Sequence, residues 1–152
     1  MSSNNLKQRI QDDMKNALRA HETERLAVIR MLWAAVRQVE IDKRITADDP
    51  QVIAILDKML RQRQEAIEQF QAGGREDLVN KESFEIKVLK AYLPPPLSAT
   101  EIEQLIKTAI KETGASSIRD MGKVIARIKP QVQGRADMGQ ISTKIKTLLG
   151  QD

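Results

Sequence analysis

Few side chains in this sequence are of the types that do chemistry, and their spacing narrows the field further. The single histidine, His21, falls in the polar stretch Arg19-Ala-His-Glu22 with no partner nearby in sequence. It reads as a surface residue rather than a general base. With no cysteine and one histidine, the chain excludes thiol catalysis, disulfides and any Cys-based or His-rich metal site. Asp48 and Asp49 could suggest a cation site, but helix capping and solvation explain them better. Gly122-Lys123 matches the end of a phosphate-binding loop. However, Val124 stands where Ser or Thr would hold magnesium, Ser117 replaces the first Gly, and no strand precedes it. Ser116, Ser117 and Lys123 would make a Ser–Lys nucleophile pair, and a capping role for Ser117 accounts for the pattern more simply. No catalytic residue, metal ligand or cofactor is expected.

What remains is charge. The chain has 25 Lys and Arg against 21 Asp and Glu, a net of +4, and a pI near 9.4. Residues 1–97 hold 16 basic against 15 acidic side chains, and residues 98–152 hold 9 against 6. The last quarter, residues 114–152, carries 7 basic against 3 acidic, so its excess equals that of the whole chain. Arg119, Lys123 and Arg127 are spaced by four, which would align them on one helix face. With Lys129, Arg135, Lys144 and Lys146 they form the expected RNA-contacting set, each phosphate contact adding about 0.7–0.9 to the salt slope. No aromatic occurs in residues 114–152, so such a surface would read backbone shape rather than stack bases. The competing explanation is the solvated side of amphipathic helices.

The elements that must position these cations are helical throughout. Aromatics are 3% of the chain and hydrophobic residues 41%, so any core is aliphatic. Leu6, Ile10, Met14 and Leu18 mark a first helix by their four-residue spacing. A second opens near Thr23, a predicted N-cap, and its apolar surface is wide enough to pack against several neighbours. Asp49 as N-cap and Pro50 at the first helical position open a third, which Gly73-Gly74 stop. A fourth starts near Glu76. Pro94-Pro-Pro96 cannot continue a helix and favours an extended segment. Ser98-Ala-Thr-Glu101 then forms a capping box for a fifth helix closed by Gly114. Ser117 to Asp120 is predicted to cap a sixth, with a break or kink at Pro130, and Asp137 a seventh. The expectation is an all-α chain: an N-terminal four-helix lobe (1–93), a Pro-rich linker (94–97) and a small three-helix lobe (98–152).

No apolar run approaches the ~18–20 residues of a membrane span. The opening Met1-Ser-Ser-Asn-Asn-Leu-Lys7 lacks the apolar stretch of a signal peptide. A cytoplasmic location is expected, with no membrane contact. A DNA-binding helix-turn-helix from the last two helices is disfavoured, because the connection from Pro130 to Asp137 exceeds the usual 3–4 residues.

Five segments, in this order, carry a resemblance. They are Val28-Ile-Arg-Met-Leu32, Ala72-Gly-Gly-Arg-Glu-Asp-Leu78, Tyr92-Leu-Pro-Pro-Pro-Leu97, Asp120-Met-Gly-Lys-Val124 and Gly134-Arg-Ala-Asp137. The chain resembles the GatB/YqeY family over nearly its whole length, specifically the stand-alone YqeY-like proteins. The resemblance implies a four-helix lobe followed by a three-helix tail lobe. It further implies kinship with the tail of the tRNA amidotransferase B subunit, which contacts bound tRNA, and a family-level carbon–nitrogen ligase activity with glutamine as amido-N-donor. Gly122, Lys123, Gly134, Arg135, Ala136 and Asp137 match the tail-lobe motifs. The large catalytic domain of that relative is absent, so the expected function is a tRNA-binding accessory module rather than an enzyme acting alone. Amidotransferase subunits or other proteins of tRNA metabolism are the expected protein partners. The alternative is a non-catalytic adaptor working through the N-terminal lobe, favoured by exposed apolar residues on the second helix.

Overall fold

A computed structural model describes residues 5–150. Residues 1–4 of the opening segment and Asp152 of the charge count lie outside the described residues. The helices are α1 (Leu6–Arg19), α2 (Thr23–Lys43), α3 (Asp49–Ala72), α4 (Glu76–Lys90), α5 (Ala99–Thr113), α6 (Met121–Val132) and α7 (Met138–Leu149), with a 3-10 turn at Ile118–Asp120. No strand occurs among the described residues. The all-α expectation holds, as two helical clusters built from α1–α4 and α5–α7. The chain divides into two compact units between Leu93 and Pro94.

In the first unit α1 buries Ile10 and Ala17 against α2, with Leu6 and Met14 packed beside them. Leu18, the last residue of the expected stripe, is 57% exposed because the core-facing position one residue earlier falls to Ala17. Helix α2 contacts α1, α3 and α4, as its broad apolar surface demands. Leu26, Ile29, Leu32 and Val36 meet Val52 and Leu56 of α3 and Leu89 of α4 in one core. Trp33 is only partly buried there, with the Lys7 ammonium 5.9 Å from its ring centre. Polar groups fix the register of these helices. The buried Glu40 carboxylate accepts from Lys7 at 2.6 Å, Arg37 at 2.7 Å and the Ala47 N–H at 2.8 Å, tying α1 and the loop after α2 to α2 itself. Arg63 of α3 donates to Glu85 of α4 at 2.9 Å, with both side chains largely buried.

The second unit packs Ile106 and Ala109 of α5, Val124, Ile128 and Val132 of α6, and Ile141, Ile145 and Leu149 of α7. The capping box predicted at Ser98 forms: Ser98 Oγ accepts from the Glu101 N–H at 3.1 Å and Glu101 accepts from the Ser98 N–H at 3.0 Å. Gly114 closes α5 with φ +70°, in the left-handed region where a side chain would be strained. The proline segment drawn as a linker is hydrogen-bonded within this unit. The Leu97 N–H donates to the Arg135 carbonyl at 2.8 Å, and Arg135 Nε donates to the Pro95 carbonyl at 2.9 Å. Ser98→Ala is expected to lower the unfolding free energy of this unit by about 1 kcal/mol, read from a shifted denaturant midpoint at unchanged slope by far-UV circular dichroism.

Four local expectations are corrected. Asp48, not Asp49, caps α3, because its extended backbone aims the carboxylate at the Gln51 N–H. Asp49 instead accepts from the Leu6 N–H at 2.9 Å. Thr23 lies inside α2, whose N-cap Glu22 makes no side-chain cap bond. Ser117 makes none either; the Asp120 carboxylate accepts from the Ser116 N–H at 3.0 Å in its place. Pro130 does not end α6, which continues to Val132. In the last turn the missing proline N–H leaves only the Ala126 carbonyl without its helical donor, and Ala126 is exposed to water.

Candidate nucleic-acid interface

The seven expected contact residues do not form one stripe. Arg119 lies in the 3-10 turn ahead of α6, so only Lys123 and Arg127 share a face of that helix. Lys129 is two residues beyond Arg127, a rotation of about 200°, and leaves α6 on the other flank of its buried Val124–Ile128–Val132 edge. The same holds in α7, where Lys144 and Lys146 flank buried Ile145. One flank in each pair faces α5: Arg127 donates to Glu112, and Lys144 Nζ is 3.9 Å from Glu103. Lys129 and Lys146, on the other flanks, make no ion pair with that neighbour.

Carboxylates of the same unit hold three of the seven. Besides Arg127 and Lys144, Lys123 Nζ lies 3.9 Å from Asp120. Arg135 spends its Nε on the Pro95 carbonyl. Arg119, Lys129 and Lys146 are exposed and have no partner among the described residues. Lys111, absent from the expected set, joins them: it is exposed in the last turn of α5 and likewise unpaired among the described residues. Its position three residues before the helix-ending Gly114 was a sequence signal for a helix-terminal cation.

Three of these four collect at one end of the unit. Helix α5 ends at Thr113, the 3-10 turn follows within five residues, and α7 returns to it. A Cβ placed on Gly150, just past α7, would lie 3.4 Å from Ile118 Cδ1 in that turn. Lys111, Arg119 and Lys146 therefore share this end, with the exposed Lys123 in the first turn of α6. Lys129 belongs to the opposite end, beside the loop holding Arg135.

The acids of the unit are engaged internally. Donation from Ser98 holds the Glu101 carboxyl below its ordinary range. Lys107, then Lys144, does the same for Glu103, and the Ser116 N–H followed by Lys123 for Asp120. Asp137 caps α7 by accepting from the Gly139 N–H at 2.9 Å. Of the uncharged motif residues, Gly134 and Ala136 act through backbone and packing. Gly134 turns the α6–α7 loop at φ +78°, Ala136 packs against the core, and Gly122 has open space about its Cα.

A family model described as Yqey-like protein matches residues 7–149. The chain belongs to the Yqey-like family. This confirms the resemblance drawn from the five motifs and links the chain, at family level, to GatB/YqeY proteins. Among curated relatives, the protein named "Altered inheritance of mitochondria protein 41, mitochondrial" of Pyrenophora tritici-repentis is 30% identical over 145 residues, covering 93% of this chain and 80% of the relative. The protein of the same name from Saccharomyces cerevisiae (strain YJM789) is 28% identical over 141 residues, 91% of this chain and 74% of the relative. That of Eremothecium gossypii is 35% identical over 96 residues, 61% of this chain and 52% of the relative.

These names overturn the expectation of a cytoplasmic location. That expectation rested on the lack of an apolar run, which bears on secretory segments and membrane spans. Mitochondrial targeting segments are amphipathic and Arg- and Ser-rich and need no such run. Among the described residues, no helix is long and apolar enough to cross a membrane.

Proposed function

We propose that this Yqey-like chain is an accessory protein of tRNA metabolism whose C-terminal unit meets the phosphate backbone of a folded tRNA. The contact is the end carrying Lys111, Arg119 and Lys146; Lys129 and Arg135 lie at the other end of the unit and are not part of it. The observation that supports this reading most is the imbalance of partners. Every described acid of the unit holds an internal donor, whereas Lys111, Arg119, Lys129 and Lys146 meet no carboxylate among the described residues. Lys111 and Lys146 also oppose the negative ends of the α5 and α7 dipoles, a contribution of roughly 0.3–1 kcal/mol each. That role uses the charge without using up the hydrogen-bond donors. The reading assigns no catalytic step to the chain; the carbon–nitrogen ligase activity that its kinship implies would belong to amidotransferase subunits it assists.

Filter binding of tRNA across a salt series tests it. The logarithm of affinity should fall linearly with the logarithm of salt, and the variant Lys111→Ala, Arg119→Ala, Lys146→Ala should flatten that slope by about 2 to 3. The variant Lys123→Ala, Arg127→Ala should change it less, because those cations already face Asp120 and Glu112. Salt-independent binding, or an unaltered slope in the first variant, would count against the interface.

A second reading, an adaptor working through the first unit, draws on α2. Met31 and Ile41 are 39% and 62% exposed there, and the seven-residue spacing from Ala34 to Ile41 places those two on one solvent face. Recovery of the chain from cells with protein but without RNA would favour it.

A further inference from the structure

Outside the cationic end of the C-terminal unit, the first unit contains a cavity of about 290 Å³ lined from α1, α2 and α4. Its walls are largely apolar, and the charged groups set into them are held in place. Arg9 Nη2 donates to the Ala91 carbonyl at 2.5 Å, and the Arg9 guanidinium lies 4.9 Å from the Tyr92 ring centre. The Tyr92 hydroxyl donates to Asp13 at 2.6 Å. Arg25 stands 3.9 Å from the same carboxylate and 3.2 Å from Glu22, which holds it from outside the cavity. Tyr92 is buried, and that burial, reinforced by Asp13, pushes its phenol well above the usual range. It remains a neutral donor at all physiological pH values.

Lys87 completes the lining. It is exposed, one turn before Ala91 on α4, and unpaired among the described residues. Phe84, three residues earlier on the same face, is 37% exposed at the cavity. Three cations thus line the cavity against one carboxylate, Asp13, with Glu22 on Arg25 outside it. Each guanidinium has five N–H donors and uses only some of them on protein. That surplus of positive charge and donors calls for an anion with several acceptor oxygens. The apolar ring beside it offers a face for a planar group. The volume lies at the small end of ligand pockets, about 300–1,000 Å³, and suits one nucleotide rather than a stretch of polymer.

We propose that the cavity between α1, α2 and α4 binds a nucleotide phosphomonoester, its phosphate on Arg9, Arg25 and Lys87 and its base on Phe84. This site is independent of the RNA-backbone reading of the other unit. Calorimetric titration of the full chain with adenosine monophosphate, with adenosine and with inorganic phosphate tests it. The expected result is saturable binding of the monophosphate, tighter than either fragment by about tenfold or more. Lys87→Ala, which removes no hydrogen bond or ion pair among the described residues, should weaken that binding by about tenfold. Phe84→Ala should weaken the monophosphate by roughly fivefold or more while leaving inorganic phosphate unchanged. An RNA tetramer with a terminal phosphomonoester distinguishes the source. Binding tighter than the mononucleotide assigns the pocket to an RNA end, and weaker binding to a free nucleotide. Adenosine binding as well as its monophosphate, a tetramer binding equally well without its phosphate, or Lys87→Ala binding like the parent would each overturn the assignment.

Discussion

Glu40→Ala is expected to destabilise the N-terminal unit by about 3 kcal/mol, at the lower end of what breaking a buried ion pair costs. The Glu40 side chain is 4% exposed and satisfies three donors at once. Its loss leaves the buried Ala47 N–H with no acceptor, a penalty of about 1–3 kcal/mol alone, and strands Lys7, whose side chain is only 20% exposed. Arg37 matters less, because its side chain is half exposed and water replaces the carboxylate. Glu40→Gln should cost less, since an amide oxygen still accepts from Ala47, but it leaves both cations without a counter-charge. The two variants therefore separate the hydrogen bond from the charge.

The same carboxylate sets an acid limit for the unit. Donation from Lys7 first, then from Ala47, lowers the Glu40 pKa to about 2 against the burial that would raise it. A carboxylate depressed on folding contributes stability above its unfolded pKa, near 4.5, and loses that contribution as pH falls toward the folded value. Thermal melts of the parent should thus lose midpoint between about pH 4.5 and pH 2, and Glu40→Gln should lack this share of the loss. A parent and a Gln variant whose midpoints fall in parallel across that window would show that the Lys7–Glu40 contact contributes little.

The helices are readable because aliphatic spacing and stop residues agree: the Gly73-Gly74 end of α3 and the Ser98–Glu101 box form where the spacing places them, and the α1 stripe does so through Leu6, Ile10 and Met14, with Ala17 buried in place of the exposed Leu18. What could not be read are choices between chemically equivalent neighbours. Asp48 and Asp49 can both cap, and the outcome rests on a bond from Leu6, 43 residues away. The Glu40 cluster is of the same kind, since nothing in local spacing announces that Lys7 will reach it. For the cations, a spacing of four correctly puts Lys123 and Arg127 on one face. It is blind to Glu112 and Glu103 on α5, which arrive opposite Arg127 and Lys144 only when three helices pack. Lys111 stands three residues ahead of the basic stretch 114–152, so the charge excess of that stretch does not contain it.

Ile128→Ala is expected to remove most of the stability of the C-terminal unit, and RNA binding with it. Ile128 is fully buried at the centre of α6, among side chains from α5 and α7. Truncating a buried isoleucine costs about 2–5 kcal/mol, the higher values where the site cannot collapse. The unit, residues 94–152, has a total stability on the order of 3–9 kcal/mol at ordinary per-residue values. One methyl-rich side chain is thus a large fraction of what holds α5, α6 and α7 together. The cores of the two units share no residue, so amide exchange in Ile128→Ala should accelerate across residues 99–149 while the interior of α2 keeps its protection. Binding to tRNA should fall although no cation was changed, because Arg119 and Lys146 share one end of the unit only when the 3-10 turn rests against the end of α7. The Lys111→Ala, Arg119→Ala, Lys146→Ala variant should show the converse, with weakened binding at retained protection. Equal tRNA affinity in Ile128→Ala and the parent, with residues 99–149 exchanging freely, would mean that unstructured positive charge suffices and that the folded end is not what the RNA meets.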